Sequence, residues 1–479
     1  MSGIPDLLKI GSIPSNLAMS VETGILDPVV QSDSFIRFNM KRSGFLHSNS
    51  KLVLSLAATG DDAGWEAANK HWMLPASVGI GSVIERVRLL SGNTVIQETQ
   101  DWGHLHAYRS QFISNENNKE REQFTTGRIV NMEYDYDDTV TTRSDVKGTG
   151  VSVGNGLEYK GFSATGDYDE NPLLMEKERH NSQYLEEAPV WQVSLQDLCP
   201  FLKSTQLPLF MFEEQLFLEI TFNTNQSRIV GNAAAVAGLA TTNYVINPVE
   251  SKLIIDYITY PNETMEAWAD ANQNLSFQYT EYELSKYTLA NADRNNAFIR
   301  NQGGAGKVVN KLILMLNRDA NDPTTPDGIG AQTMLGAYGF VHPLQDDATT
   351  QQKVVTNIRY NDEFLFPIDV KNDAYHFNNV LMSEGQPPMV SRQMYTGTGA
   401  SLSARKFESR TMNNSTAGLN GTLFSQSLKL NKNPRINQKG IELYQTYTNL
   451  EATDHTVRCW AEVMKVAQLV DGKLRSTYL

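Results

Sequence analysis

The sequence predicts an all-β fold: two side-by-side antiparallel sandwiches with few short helices. Three observations carry that expectation. Short segments alternate apolar and polar residues with a period of two, the pattern of a strand that covers a core with one face. Clusters of Gly, Asn, Asp, Ser and Pro separate these segments, as turns do between short strands. A chain of 479 residues exceeds what one core holds, and an aperiodic stretch rich in Ala, Gly, Asn and Thr divides it near the middle.

Taken in order, residues 1–25 form an N-terminal arm in which Lys9 stands against Asp6 and Glu22, so the arm is not basic. Residues 26–225 form the first sandwich. Within it, Ile36, Phe38 and Met40 alternate with Arg37 and Asn39, and Leu52, Leu54 and Leu56 with Lys51, Val53 and Ser55. Residues 195–202 have the spacing of a short helix broken at Pro200, whose ring clashes inside a helix. Leu216, Leu218, Ile220 and Phe222 interleave with Phe217, Glu219 and Thr221, one row for the core and one for the other face. Residues 226–244 are the linker, and 245–479 the second sandwich.

In that second half, residues 262–274 read as a helix through Met265, Trp268 and Ala271. Residues 311–316 are apolar on both faces, which predicts a central strand covered on both sides. Val354, Thr356, Ile358 and Tyr360 alternate with Asn357, Arg359 and Asn361. Val457, Cys459, Ala461 and Val463 alternate with Arg458, Trp460 and Glu462, and the β-branched and aromatic content favours a strand there. Asp471-Gly472 then signals a tight turn, with 473–478 returning as a last strand. Long polar loops are expected at 60–71, 161–187, 318–352 and 383–422; loops of that length usually carry function or partner contacts.

Composition narrows the function classes. Apolar residues make up 40% of the chain and charged ones 20%, enough to fold a core. No run reaches the roughly 18 apolar residues of a membrane span. Residues 1–20 lack a basic segment followed by an apolar one, so the reading is of a protein made in the cytosol. Cys199 and Cys459 are too few for a disulfide scaffold and read as buried thiols. Lys plus Arg number 41 against 54 Asp plus Glu, a net charge of −13. A surface of that sign repels phosphate backbones, so no direct nucleic-acid binding is expected.

The motif search yields little chemistry. Gly303, Gly304, Gly306 and Lys307 approach a phosphate-binding loop, but Asn301 stands where its first Gly belongs and Val308 where Ser or Thr would hold magnesium. A turn before a strand is the better reading. His104 and His106 would share a face on a strand, as metal ligands do, but no third ligand is near in sequence. Glu133, Asp135, Asp137 and Asp138 lack the Gly and closing Glu of a calcium loop and read as solvated. Asn262-Glu-Thr and Asn414-Ser-Thr match glycosylation sequons without a secretory context. No nucleophile elbow or zinc-protease helix occurs. The expectation is a protein without catalytic, cofactor-binding or metal-binding residues, whose product is shape rather than turnover.

Several segments resemble a known family. Val193-Ser-Leu-Gln-Asp-Leu-Cys-Pro-Phe-Leu, Leu207-Pro-Leu-Phe-Met-Phe and Leu216-Phe-Leu-Glu-Ile-Thr-Phe-Asn resemble the end of the first jelly roll in double jelly-roll major capsid proteins. The likeness is strongest to those of Polinton-like viruses and virophages. Ser50-Lys-Leu-Val-Leu-Ser-Leu and Gly79-Ile-Gly-Ser-Val-Ile-Glu-Arg-Val-Arg-Leu-Leu-Ser-Gly are similar to its early strands. Thr356-Asn-Ile-Arg-Tyr-Asn-Asp-Glu-Phe-Leu-Phe-Pro resembles a strand and turn of the second half; Trp460-Ala-Glu-Val-Met-Lys-Val with Val470-Asp-Gly-Lys-Leu resembles the closing strands. The resemblance implies two eight-stranded jelly rolls and a homotrimeric, pseudo-hexagonal capsomer in the icosahedral shell of a double-stranded DNA virus. Neighbouring capsomers, penton proteins and minor capsid proteins would be its partners. It implies no catalytic residues. The rival is a carbohydrate-binding or carbohydrate-active β-sandwich, which needs aromatic platforms and paired carboxylates in one groove; a single-jelly-roll fibre or penton component is a third reading.

Overall fold

The computed structural model describes residues 19–32, 34–59, 72–73, 78–113, 125–126, 134–136, 150–153, 157–163, 190–203, 207–222, 230–231, 243–246, 251–318, 344–346, 351–370, 373–385, 426–430, 434–448 and 454–479. Loop 60–71 lies outside these residues, as do most of 161–187, 318–352 and 383–422.

The first half is a sandwich of two antiparallel sheets. One runs in the order Val30–Ser32, Phe35–Met40, Leu216–Phe222, Ile84–Ser91, Thr94–Gln100. The other runs Ser20–Leu26, Lys252–Thr259, Lys51–Thr59, Val190–Ser194. In the first sheet Leu218 stands opposite Phe38 on one side and Leu89 on the other. The alternating row Leu216, Leu218, Ile220 and Phe222 is buried in the same core as Leu52, Leu54, Leu253, Ile255 and Trp191 of the facing sheet. Period-two patterning therefore set which face turned inward. Val53 and Ser55, assigned by alternation to the outer face, are buried as well, so their strand is covered on both sides.

Sheet membership bears on where the halves divide. Ser20–Leu26, inside the arm expected at 1–25, pairs along its whole length with Lys252–Thr259, inside the range expected for the second half. The linker range 226–244 contains Val230–Gly231, paired with Trp72–Met73, and the start of Asn243–Ile246, paired with Lys51–Thr59. These pairings favour a division after Thr259 over one at 226–244. Composition marked the aperiodic stretch; it carries no information about which sheet claims the next strand.

The second half repeats the two-sheet plan. One sheet runs Asn274–Leu289, His455–Val470, Val309–Arg318, Gln426–Lys429, with Lys473–Tyr478 also on His455–Val470. The other runs Ala297–Asn301, Glu442–Thr448, Gln351–Tyr360, Leu344–Asp346, with Glu363–Phe364 on Gln351–Tyr360. Leu312 and Leu314 face the interior of this sandwich with Ile358, Leu443 and Cys459, whereas Ile313 and Met315 face a separate cluster outside it. That is the doubly covered strand expected at 311–316. The Asp471-Gly472 turn takes φ values of 49° and 68°, the left-handed pair of a two-residue hairpin, and Lys473–Tyr478 returns from it.

Helices are few among the described residues. Residues 195–202 form two single turns, Leu195–Leu198 and Pro200–Lys203, with Pro200 opening the second, where its missing N–H costs nothing. Asn262–Ala271 is the helix expected near 262–274. Two helices of 12 residues were not foreseen: Asp373–Glu384 and Trp102–Ile113. The second of these corrects the reading of His104 and His106. On a helix, residues two apart point to different sides, so the pair does not share a face.

Candidate functional site: the junction between the sandwiches

The Gly303–Gly306 turn does not present a phosphate cradle. All three glycines take positive φ, between 75° and 78°. The backbone N–H of Gly303 donates to Asn301 Oδ1 at 2.7 Å and that of Gly306 to Ile436 O at 3.0 Å. Lys307, the residue that would grip a phosphate, pairs with Glu283 and lies 4.1 Å from the centre of the Tyr478 ring.

His104 and His106 are buried, and the His106 ring stacks on Trp102 at 4.3 Å. No cluster of three His, Cys, Asp or Glu suited to a metal ion occurs among the described residues. Of the acidic run, only Asp135 falls within the described residues, on the strand Tyr134–Tyr136. Asn262 opens an exposed helix, and Asn414 lies outside the described residues. Both thiols are buried and free; burial alone pushes Cys199 up to about 12 and raises Cys459 as well, so neither is a thiolate at neutral pH.

Where buried charge does gather is between the halves. The 16-residue strands Asn274–Leu289 and His455–Val470 pair from Asn274 opposite Val470 to Leu289 opposite His455. One end of this ribbon builds the second core. The other end sends Leu275, Tyr279, Ala467 and Leu469, joined by Leu474, into the core of the first half. From the first half, helix Trp102–Ile113 reaches back: Leu105, Tyr108 and Phe112 pack against Tyr282, Ile313, Met315, Val380 and Trp460. Each of these side chains contributes about 1.5–3 kcal/mol when fully buried. The sandwiches share apolar interior in both directions.

Three buried charge clusters lie in that shared region. Asp101, between strand Thr94–Gln100 and the helix, accepts a hydrogen bond from Arg458 Nε at 2.8 Å, with Lys286 Nζ at 3.8 Å. Arg458 is 0% exposed and also donates to Asn317 Oδ1 at 3.1 Å. Burial opposes ionisation of Asp101, yet the Arg458 guanidinium, with His104 and Lys286, holds its carboxyl at about 2. Lys465 donates to Glu281 Oε2 at 2.9 Å, and Glu281 Oε1 accepts the backbone N–H of Glu98 at 2.9 Å, crossing between halves. Lys311 bonds Glu384 at 2.7 Å and lies 3.4 Å from Glu462; Tyr108 of the first half donates to the same Glu384 at 2.5 Å. Burial works against the Lys311 charge, but Glu462, Tyr282 and Glu384 outweigh it and raise its pKa.

A cleft of about 490 Å³ opens over the first cluster, lined by Glu85, Arg86, Gln100, Asp101, Thr221, Leu284 and Lys286. Among its lining residues no nucleophile stands beside a base, and Asp101 is committed to Arg458. The arrangement ties elements of the two sandwiches to each other through buried hydrogen bonds and ion pairs. Sequence reading missed this junction, although Arg458, Glu462 and Lys465 in an otherwise apolar strand were a signal. A charge in a doubly covered strand requires a partner.

No family model and no curated protein matches the sequence. Solved structures do match. A chain in the cryo-EM structure of the Sputnik virophage aligns over 100% of this chain and 93% of its own, at 11% identity and a TM-score of 0.56. VP54 of PBCV-1, fitted into a reconstruction of Sputnik, aligns over 97% of both chains at 12% identity and a TM-score of 0.51. A chain of the PBCV-1 virus capsid aligns over 97% of both at 15% identity and a TM-score of 0.50. At these identities the likeness is one of fold, and it spans both sandwiches and their junction. The chain has the double jelly-roll fold of viral major capsid proteins.

Proposed function

We propose that this chain is a major capsid protein: a homotrimeric, pseudo-hexagonal capsomer in the icosahedral shell of a double-stranded DNA virus. The observation that carries the reading is the match of the whole two-sandwich chain, end to end, to chains from virus capsids. The junction supports it. Two lobes joined through shared apolar interior and three buried charge clusters form one rigid unit, and three such units place six lobes around an axis, the outline that tiles a plane. Penton and minor capsid proteins are its further partners, and the virion its location after synthesis in the host cytosol. The net charge of −13 argues against direct contact with the genome.

The carbohydrate reading has less in its favour. The cluster of Phe45, Phe210, Tyr260 and Trp268 packs its rings edge to face or tilted on one another, with centroids 5.2–6.2 Å apart, instead of offering a flat open platform. Mass photometry and negative-stain microscopy of the purified chain test the proposal. Expected is a stable trimer with a six-lobed outline. A monodisperse monomer at micromolar concentration, unchanged on concentration, overturns it.

A further inference from the structure

Several strands end their sheets among the described residues; the two that carry the most exposed aliphatic side chains lie one in each half. Ser20–Leu26 pairs only with Lys252–Thr259, and Ala297–Asn301 only with Glu442–Thr448. Both carry large aliphatic side chains turned to solvent: Val21 is 52% exposed, Ile25 65% and Ile299 63%. An open edge bearing apolar side chains is a template for another strand, and soluble proteins normally guard such edges with Lys or Pro. Neither residue type occurs in either strand.

The direction of the open backbone groups follows from the ladder. Tyr447 N donates to Asn296 O, and Gln302 N donates to Ile441 O. Residues of an antiparallel pair alternate between hydrogen-bonded and non-bonded positions, so the even-numbered residues here point to Glu442–Thr448. Ala297, Ile299 and Asn301 therefore turn their N–H and C=O groups outward, and all three are exposed.

Charge distinguishes the two edges. Glu22, on the first, has no cationic side chain within ion-pair distance among the described residues. On and beside the second, Arg294 and Arg300 have no carboxylate. The Arg300 guanidinium is turned inward onto the rings of Tyr287 and Phe298, at 3.9 and 4.2 Å, and its Nη1 is buried, so Arg294 is the cation left beside the edge.

We propose that the open edge Ala297–Asn301 of one copy receives the open edge Ser20–Leu26 of a second copy, with Glu22 set against Arg294. The inference rests on the capsomer reading and says which surfaces make the contact. Because the two edges lie on different halves, the contact is heterologous, and such contacts close into a ring when the rotation between copies allows it. The rigid junction fixes that rotation within each chain.

The test compares wild type with Ile299→Lys, Glu22→Arg, and the charge swap Glu22→Arg with Arg294→Glu, by mass photometry across a dilution series. Thermal unfolding of each monomer checks that the fold is intact. Expected are a weakening of self-association by about tenfold or more for each single variant, recovery in the charge swap, and unchanged monomer midpoints. Hydrogen exchange on the wild type gives an answer without substitution: the amides of Ala297, Ile299 and Asn301 gain protection on assembly. If wild type assembles but the single variants assemble equally well and these amides exchange alike in both states, the edge pairing is wrong while the capsomer reading stands. If wild type remains monomeric, the capsomer reading fails and the pairing with it.

Discussion

Replacing Asp101 by Asn removes one buried charge at the junction and little else. Asn keeps the side-chain shape and tolerates the left-handed backbone at this position, where φ is 49°. What it takes away is the ion-pair partner of Arg458, a side chain with no solvent exposure that also donates to Asn317. The cost can be bounded twice. A carboxyl held at about 2 instead of 3.8 is worth about 2 kcal/mol of folding stability at neutral pH. Stranding a buried charge by deleting its partner typically costs about 3–5 kcal/mol. A loss between these figures is expected, read as a lowered denaturation midpoint in urea or heat. Replacing the pair together, Asp101→Asn with Arg458→Met, should recover most of it, since an apolar substitute for a buried ion pair is often neutral. The pH dependence has a defined sign. The folded-state pKa is depressed, so the contribution is fully present above the ordinary value of 3.8 and fades as pH falls toward about 2. The gap between wild type and Asp101→Asn should be constant from pH 7 to 5 and close below 3.8. A loss under about 1 kcal/mol, or a gap that stays fully open as pH falls from 3.8 toward 2, would refute the assignment of Arg458 as the dominant partner.

Three other outcomes follow from the same geometry. Leu218→Asp places a carboxylate at a position with no exposure, costs several kcal/mol and abolishes soluble expression; a soluble, cooperatively folding variant contradicts the burial. Glu219→Lys, on the opposite face, is not mild either: Glu219 lies 3.2 Å from Arg88 and 3.6 Å from Arg37, so a lysine there gathers three cations, and a drop of about 1–3 kcal/mol that shrinks in high salt is expected in calorimetry. Native protein at pH 8 should leave both Cys199 and Cys459 unlabelled by a thiol reagent, with two equivalents reacting after denaturation; rapid labelling of the folded chain sinks that expectation.

The contrast between Leu218 and Glu219 marks how far the sequence could be read. Alternation identifies the row that enters the core, because the period of a strand is fixed by backbone geometry alone. It cannot say what lies over the other row. The sequence placed Glu219 only on the other face, where Arg37 and Arg88, on the two strands flanking it, bring it down to 8% exposure. Those neighbours come from positions 182 residues earlier and 131 residues earlier, and strand order is a tertiary fact. The same limit explains the junction. Arg458, Trp460 and Glu462 alternate with Val457, Cys459 and Ala461, and by patterning alone they form an outer face. They are buried because the first half sends a helix across that face, and Trp102–Ile113 has no clean apolar stripe to announce it: Leu105, Tyr108 and Phe112 point to the second half while Trp102 points to the first. A helix buried on several sides loses the amphipathic period that makes helices legible. The pairing of the Lys252–Thr259 strand was illegible for a related reason. It is a well-patterned strand, LIIDYIT after Lys252, and nothing local says that its partner is Ser20–Leu26, more than two hundred residues upstream. What was legible is therefore what short-range geometry dictates, strands and their inward rows. What was not is the assignment of outer faces to partners, and in a protein whose proposed work is assembly, those faces are where function resides.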